Sequence, residues 1–282
     1  MKNFINDNSY RRLSLVVHTI AICIMLSSAF LFSCTKESDS LEDGLIFYYP
    51  FNGNVKDAAG NGNHGIDYTT GNYVTGKRGK ALDFNGTSDY IQLKRTINSE
   101  KGLTFSFWMK SRGASGTENS GVIIGKYSMS TNSKCFLIYS FGPYEARTDN
   151  RLAAAFYKEG YSSAIHDNVK SWFEAAELLV YPSNPALWTI SNPKRIEIGV
   201  WTHCVINVSE TDLEVWLNGT LCTTKTREYS SYFDSTNEPV YIGNNLSCGA
   251  GSNNHFNGVL DELRIYNRTL TREEIQNLYN EK

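Results

Sequence analysis

No basic tract runs through this sequence: 27 lysines and arginines are set against 29 aspartates and glutamates, a formal charge of −2. Binding to nucleic acid rests first on neutralising phosphates, so this balance excludes nucleic acid as a partner. Histidine is scarce, with His18, His64, His166, His203 and His255 scattered at spacings that do not suit a metal. Nucleophile-elbow, Walker, H-E-x-x-H and C-x-x-C motifs are all missing. "GNGNHG" (60–65) matches G-x-G-x-x-G in form only. It opens no helix after a strand, so a dinucleotide site is not expected, and its glycines shape the loop beside Asp57.

Only one long apolar run is present, Leu13 to Phe32, preceded by Arg11 and Arg12 and closed by Ser33-Cys34. A basic start, an apolar middle and a small residue at the cut describe a secretory signal over residues 1–33. Cysteine directly after the cut resembles the lipobox of bacterial lipoproteins, which implies a lipid anchor on Cys34. An uncleaved anchor is the alternative, because about 20 apolar residues just span a bilayer. "TKESDSLED" (35–43) is too polar to fold and reads, with Cys34, as a flexible tether over 34–43. Its lysine followed by acids resembles the surface-export signal of some Gram-negative, glycan-degrading bacteria, implying outer-membrane anchorage and exposure at the cell surface. Without residues 1–33 the chain carries 24 basic and 28 acidic side chains. Four cysteines then remain to pair, Cys135, Cys204, Cys222 and Cys248, with three pairings open. Cys204 and Cys222, two strands apart in one meander, are not expected to join.

Residues 44–282 are long enough for one domain with a sizeable core. Short runs rich in Val, Ile, Phe and Tyr recur at 44–51, 81–86, 90–93, 103–110, 121–128, 134–140, 203–209, 212–217, 220–225 and 240–244. Asn218-Gly219 between two of them is a hairpin signal. Many short strands and few helices predict an all-β, two-sheet antiparallel jelly-roll sandwich. Thr271 and Glu274 form a capping box for a short C-terminal helix, expected to cover one end of the sandwich with Ile275 and Leu278. "SWFEAAELL" (171–179) reads either as a second helix or as a strand from near Ala176. The closing strand in "GVLDELRIYNRTLTREEI" puts Val259, Asp261, Leu263 and Ile265 on one face by strict alternation. A carboxylate then interrupts a buried face, while Glu262 and Glu214 are expected to meet solvent.

"GLIFYYPFNGNVKDAAGNGNHG", "GKRGKALDFNGTSDYIQL", "LTFSFWMK", "GVWTHCVINV", "LEVWLNG", "VYIGNN" and "FNGVLDELRIYNRTLTREEIQNLYN" together resemble the laminin-G-like, concanavalin-A-like jelly roll. The resemblance spans 44–282 and leaves a long insertion at about 141–199. It implies a structural Ca²⁺ held by Asp57 and Asp261 with Asn61 and Asn63, since Ca²⁺ takes carboxylate and carbonyl oxygens together. The alternative is that Asp261 accepts N–H bonds from the loop at 58–63, and Asp89 is a further carboxylate candidate. Some relatives of this kind hydrolyse glycans with E-x-D-x-x-E on one strand, an arrangement missing from the expected strands, so no enzyme is expected. The insertion carries Tyr161, Trp172 and Trp188 beside Asp167 and Asn168, a combination suited to a sugar's C–H face and hydroxyls. The expected function is glycan binding at the cell surface. A protein-binding adhesin and a hydrolase or lyase with an unrecognised site are the alternatives.

Overall fold

The computed structural model describes residues 41–99, 102–113, 120–127, 134–141, 151–157, 176–178, 196–226, 238–244, 246 and 254–282. The signal, Cys34, the tether up to residue 40 and Cys248 lie outside them, as do Tyr161, Asp167, Asn168, Trp172 and Trp188. Among the described residues no helix is long and apolar enough to cross a membrane.

Two antiparallel sheets form the sandwich. The first contains β1 (Leu45–Tyr49), β3 (Tyr73–Thr75), β4 (Lys80–Asn85), β6 (Leu103–Ser111), β11 (Thr202–Val208), β12 (Asp212–Leu217), β13 (Thr220–Thr226) and β15 (Asn257–Tyr266). Its order is β13-β12-β11-β6-β15-β4-β3, with β1 paired to the second half of β15. The second contains β2 (Ile66–Asp67), β5 (Ile91–Gln92), β7 (Ser120–Tyr127), β8 (Lys134–Phe141), β9 (Arg151–Tyr157), β10 (Ala176–Leu178) and β14 (Tyr241–Ile242). Its order is β10-β9-β8-β7-β14-β5-β2. Ala176–Leu178 is thus a strand, and of the two readings of that segment the helical one is overturned there. Phe105, Phe107, Ile206, Val215, Leu260 and Leu263 from the first sheet meet Ile91, Ile124, Ile138, Phe156 and Ile242 from the second in one core. Most strands supply that core from alternate positions, as the two-residue period requires.

One bulge changes what the closing strand buries. Leu260 pairs with Met109 and Ile265 with Phe105, both on the core side, yet these β15 residues differ in parity. The register shifts between Asp261 and Arg264, where Glu262 takes a left-handed φ of 52°. An extra residue in one strand moves every later side chain to the opposite face. Asp261, opposite Trp108, therefore stands on the outer face and not among the core residues that strict alternation assigned it to.

That outer face is itself covered. Helix α1 (Arg272–Asn280) has the expected capping box, with Thr271 accepting from the Glu274 N–H and Glu274 from the Thr271 N–H. Its Ile275 and Leu278 pack with Leu270 on Val205, Trp216 and Tyr266. The helix roofs one sheet and does not plug an end of the sandwich. Asn207 anchors the chain leading into it, donating to the Leu270 carbonyl at 3.0 Å and accepting from the Leu270 N–H at 2.9 Å. Cys204 is buried in the core, Cys222 only partly buried, and no disulfide joins the two.

Candidate functional site

The carboxylates expected to share a metal are held by separate sets of backbone donors. Asp57 accepts from Tyr48 N–H (3.0 Å), Ala59 N–H (2.9 Å) and Asn63 N–H (3.1 Å), which closes the 57–63 loop onto β1. Asp261 accepts from Arg78 N–H and Glu262 N–H, both at 2.9 Å. It therefore fixes the 76–79 connection between β3 and β4, not the 58–63 loop. A side chain at Gly76 would begin 2.6 Å from Asp261 Oδ2, so glycine is needed for this approach. Asn61 and Asn63 turn their amide Nδ2 toward the Leu45 and Ile46 carbonyls. No donor serves both carboxylates, and among the described residues no three His, Cys, Asp or Glu side chains gather as a metal group. This arrangement does not fit a shared Ca²⁺, because drawing the two carboxylates to one ion would break one of the backbone cradles. Asp89 is likewise a loop anchor, accepting from Thr70 N–H, Thr70 Oγ1 and Asn85 N–H.

Glu262 does not meet solvent. It is 4 % exposed, and its Oε2 accepts from Tyr48 Oη (2.7 Å), Arg264 Nη2 (3.0 Å) and Arg78 Nη1 (3.1 Å). Glu281 past the helix joins both arginines, and the Arg264 guanidinium lies 4.4 Å from the Tyr48 ring centre. Burial, together with Glu262, pushes the Tyr48 hydroxyl up to about 12. Glu214 is half-buried, accepting from Trp216 Nε1 and Asn207 Nδ2. These acids hold the roof in place, and Glu214 also lines, with Asp212, Thr269 and Arg272, a cleft of about 310 Å³.

Two further accessible features lie away from the roof. The first lies on the outer face of the second sheet, at its β14–β5–β2 edge. Ile91 and Ile242 point into the core, so Tyr90, Gln92 and Tyr241 point outward. Tyr68 follows β2, and its N–H donates to the Tyr90 carbonyl, extending that ladder by one pair. The Tyr68 and Tyr90 rings stack at 4.6 Å and 15°, and Tyr90 meets Tyr241 edge-on at 6.0 Å. Tyr68 remains 47 % exposed on the edge strand, with Tyr90 supporting it from behind. The Gln92 carboxamide shares the face and makes no hydrogen bond to a described residue. Burial and its two tyrosine neighbours raise the Tyr90 hydroxyl above its ordinary value, keeping it a neutral donor. This combination can bind a ring-shaped polar ligand: C–H bonds against Tyr68, and hydroxyls toward Gln92.

The second feature is a cleft of about 560 Å³ where β1 meets the 57–63 loop and the segment after β5. Asn61 and Asn63 line it, together with Arg95, Thr96, Asn98 and Asn267.

The sandwich has counterparts. The family model of the concanavalin A-like lectin/glucanases superfamily (Laminin_G_3) matches residues 85–276. The chain belongs to this superfamily. Among solved structures, this lectin-like chain is similar to domain 4 of an extracellular arabinanase from Geobacillus stearothermophilus, solved in complex with arabinotriose. That match has 23 % identity and a TM-score of 0.56, over 84 % of this chain and 98 % of the other. It is also similar to the binding domain of Paraclostridial Mosquitocidal Protein 1, at 18 % identity and a TM-score of 0.59 over 85 % and 52 %. A third is a botulinum neurotoxin type C structure whose cell entry depends on two ganglioside molecules, at 12 % identity and a TM-score of 0.55 over 85 % and 51 %. The lectin-like chain spans about half the length of these two toxin chains, and at such identities the likeness establishes the fold. No curated protein matches it.

The rings expected to form a platform, Tyr161, Trp172 and Trp188, lie outside the described residues, and the Tyr68–Tyr90 pair was not among the expected site residues. In "YIQL" the signal was present: Tyr90 and Gln92 alternate with the core residues Ile91 and Leu93. Tyr68 gave no such sign, because its strand is two residues long.

Proposed function

We propose that this domain binds carbohydrate without transforming it, as the ligand-recognition part of a lipid-anchored surface protein. The supporting observation is the stacked Tyr68–Tyr90 pair, half-exposed on a sheet face beside the Gln92 carboxamide. Rigid aromatic area with an adjacent unengaged amide suits a neutral sugar ring, whose faces are apolar and whose rim is polar. A carbohydrate-bound arabinanase domain of the same fold adds weight to this reading. Exposure outside the cell, with Cys34 as the lipidated residue, accords with the lipobox-like sequence and the polar tether after it.

The test is retention of the purified protein on immobilised arabinan, xylan and mannan. Binding to at least one is expected, and Tyr68→Ala should weaken it by ten-fold or more while leaving the melting temperature unchanged. Ten-fold corresponds to about 1.4 kcal/mol. Failure to retain any sugar on a broader glycan array, with capture of a protein instead, would favour the adhesin. Release of soluble products from the panel would favour an enzyme. In cells, Cys34→Ser should move the protein from the membrane fraction to the soluble fraction. Unchanged partitioning would remove lipidation from the proposal.

A further inference from the structure

We infer that the cleft beside β1 is a second site, distinct from the tyrosine platform, and that it receives the acid group of a charged sugar. It rests on the carbohydrate reading for the carrier of that group, but not for the anion itself.

Donors and acceptors in the cleft are sorted between two segments. On the 61–63 side, Asn61 and Asn63 spend their Nδ2 groups on the Leu45 and Ile46 carbonyls. Asn61 is exposed and then presents its carboxamide oxygen, an acceptor for sugar hydroxyls, while Asn63 is buried and braces the loop beneath it. On the 95–98 side the polarity is reversed. Lys126 is 1 % exposed, and its Nζ donates to Asn98 Oδ1 at 2.9 Å and to the Ile97 carbonyl at 3.3 Å. Asn98 is exposed, and with its oxygen bound to an ammonium it turns Nδ2 outward. Arg95 stands three residues away, exposed, and its guanidinium pairs with no described residue.

Charge in the cleft has one sign. Among the described residues its lining includes Arg95 and no carboxylate, with the Lys126 ammonium beneath Asn98. Lys94 adds a second exposed cation next to Arg95. Asp43, beside the lining residue Gly44, is paired to Arg268 at 3.4 Å. A planar guanidinium with free donors matches a carboxylate or a sulfate ester, and the charge-assisted bonds it forms are about twice as strong as neutral ones. Hydroxyls flanking the acid group would meet the oxygen of Asn61. Among the described residues the tyrosine platform contains no cation, so two chemistries are separated on one domain.

Titration calorimetry of the full chain with oligogalacturonate, a chondroitin sulfate oligosaccharide and uncharged xylohexaose tests this. One or both acidic probes should bind more tightly than xylohexaose in this cleft, and the pair separates carboxylate from sulfate as the preferred source. Arg95→Ala should weaken the acidic probe at least ten-fold. Asn98→Asp keeps an oxygen for Lys126 while adding a repelling charge, and should do the same. Tyr68→Ala should change acidic binding less than two-fold, so loss of the platform reading and loss of this one are told apart. Unchanged acidic binding in both cleft variants would overturn the inference. Equal losses for the acidic and uncharged probes would overturn it as well.

Discussion

Replacing Arg264 with methionine lowers the unfolding free energy by about 3 kcal/mol, the lower end of the range for breaking a buried ion pair by removing one partner. Arg264 is 8 % exposed and bridges Glu262 at 3.0 Å to Glu281 at 2.6 Å. Methionine fills much of the volume over the Tyr48 ring, so the loss is electrostatic more than steric. Glu262 keeps Arg78 as a partner, which is why the upper end of the range, about 5 kcal/mol, is not expected. Adding Glu262→Gln removes the uncompensated charge and should recover at least about 1 kcal/mol, since pair members couple non-additively. Urea unfolding of the two variants and the wild type measures both quantities. A single-variant loss below about 0.5 kcal/mol would mean that the network behaves like a solvated surface pair.

The second large effect concerns pH and arises from two buried groups on the same outer face. Burial, reinforced by Glu262 against the lowering effect of backbone N–H bonds, raises Asp261 from 3.8 to about 7. Burial first, then the charges of Arg264 and Lys77, lowers His203 from 6.5 to about 3. His203 packs beside the Trp108 and Tyr279 rings, which also stack on each other, with Nε2 at Ser106 Oγ and Nδ1 without a partner among the described residues. The two act in opposite directions. Between about pH 4 and 7 the folded chain retains an Asp261 proton that the unfolded chain has lost, so this group's contribution falls as pH rises. Between about pH 3 and 6.5 the unfolded chain binds a His203 proton that the folded chain refuses, so that contribution rises with pH. From about pH 4 to 6.5 they largely cancel.

Removing one exposes the other. His203→Phe, which preserves stacking, should make stability fall from pH 4.5 to 7.0. Asp261→Asn should make stability rise over the same interval. Three pKa units correspond to about 4 kcal/mol, an upper bound for either slope. Urea midpoints at the two pH values distinguish the variants by sign alone. Parallel pH profiles for both variants would show that neither group titrates in this way.

Local patterns in the sequence were sufficient for most strands, though not for β2, β3 and β9, for the capping box at Thr271 and Glu274, and for the hairpin at Asn218-Gly219. There φ is 50° and 69°, and Leu217 pairs with Thr220. Each is a matter of neighbouring residues and their backbone preferences. Three other features depended on contacts across the fold. The bulge at Glu262 turned Asp261 from the core to the roofed face; alternation cannot register an inserted residue that long-range pairing alone defines. Helix α1 settled over the outer face because Val205, Trp216 and Tyr266 come together there from three strands. The Tyr68–Tyr90 pair joins residues 22 positions apart across an edge ladder, and the cleft brings 61–63 against 95–98. A chain can encode which faces are apolar within a few residues, but what covers each face, and which side chains stay open to a ligand, is fixed only when distant strands meet.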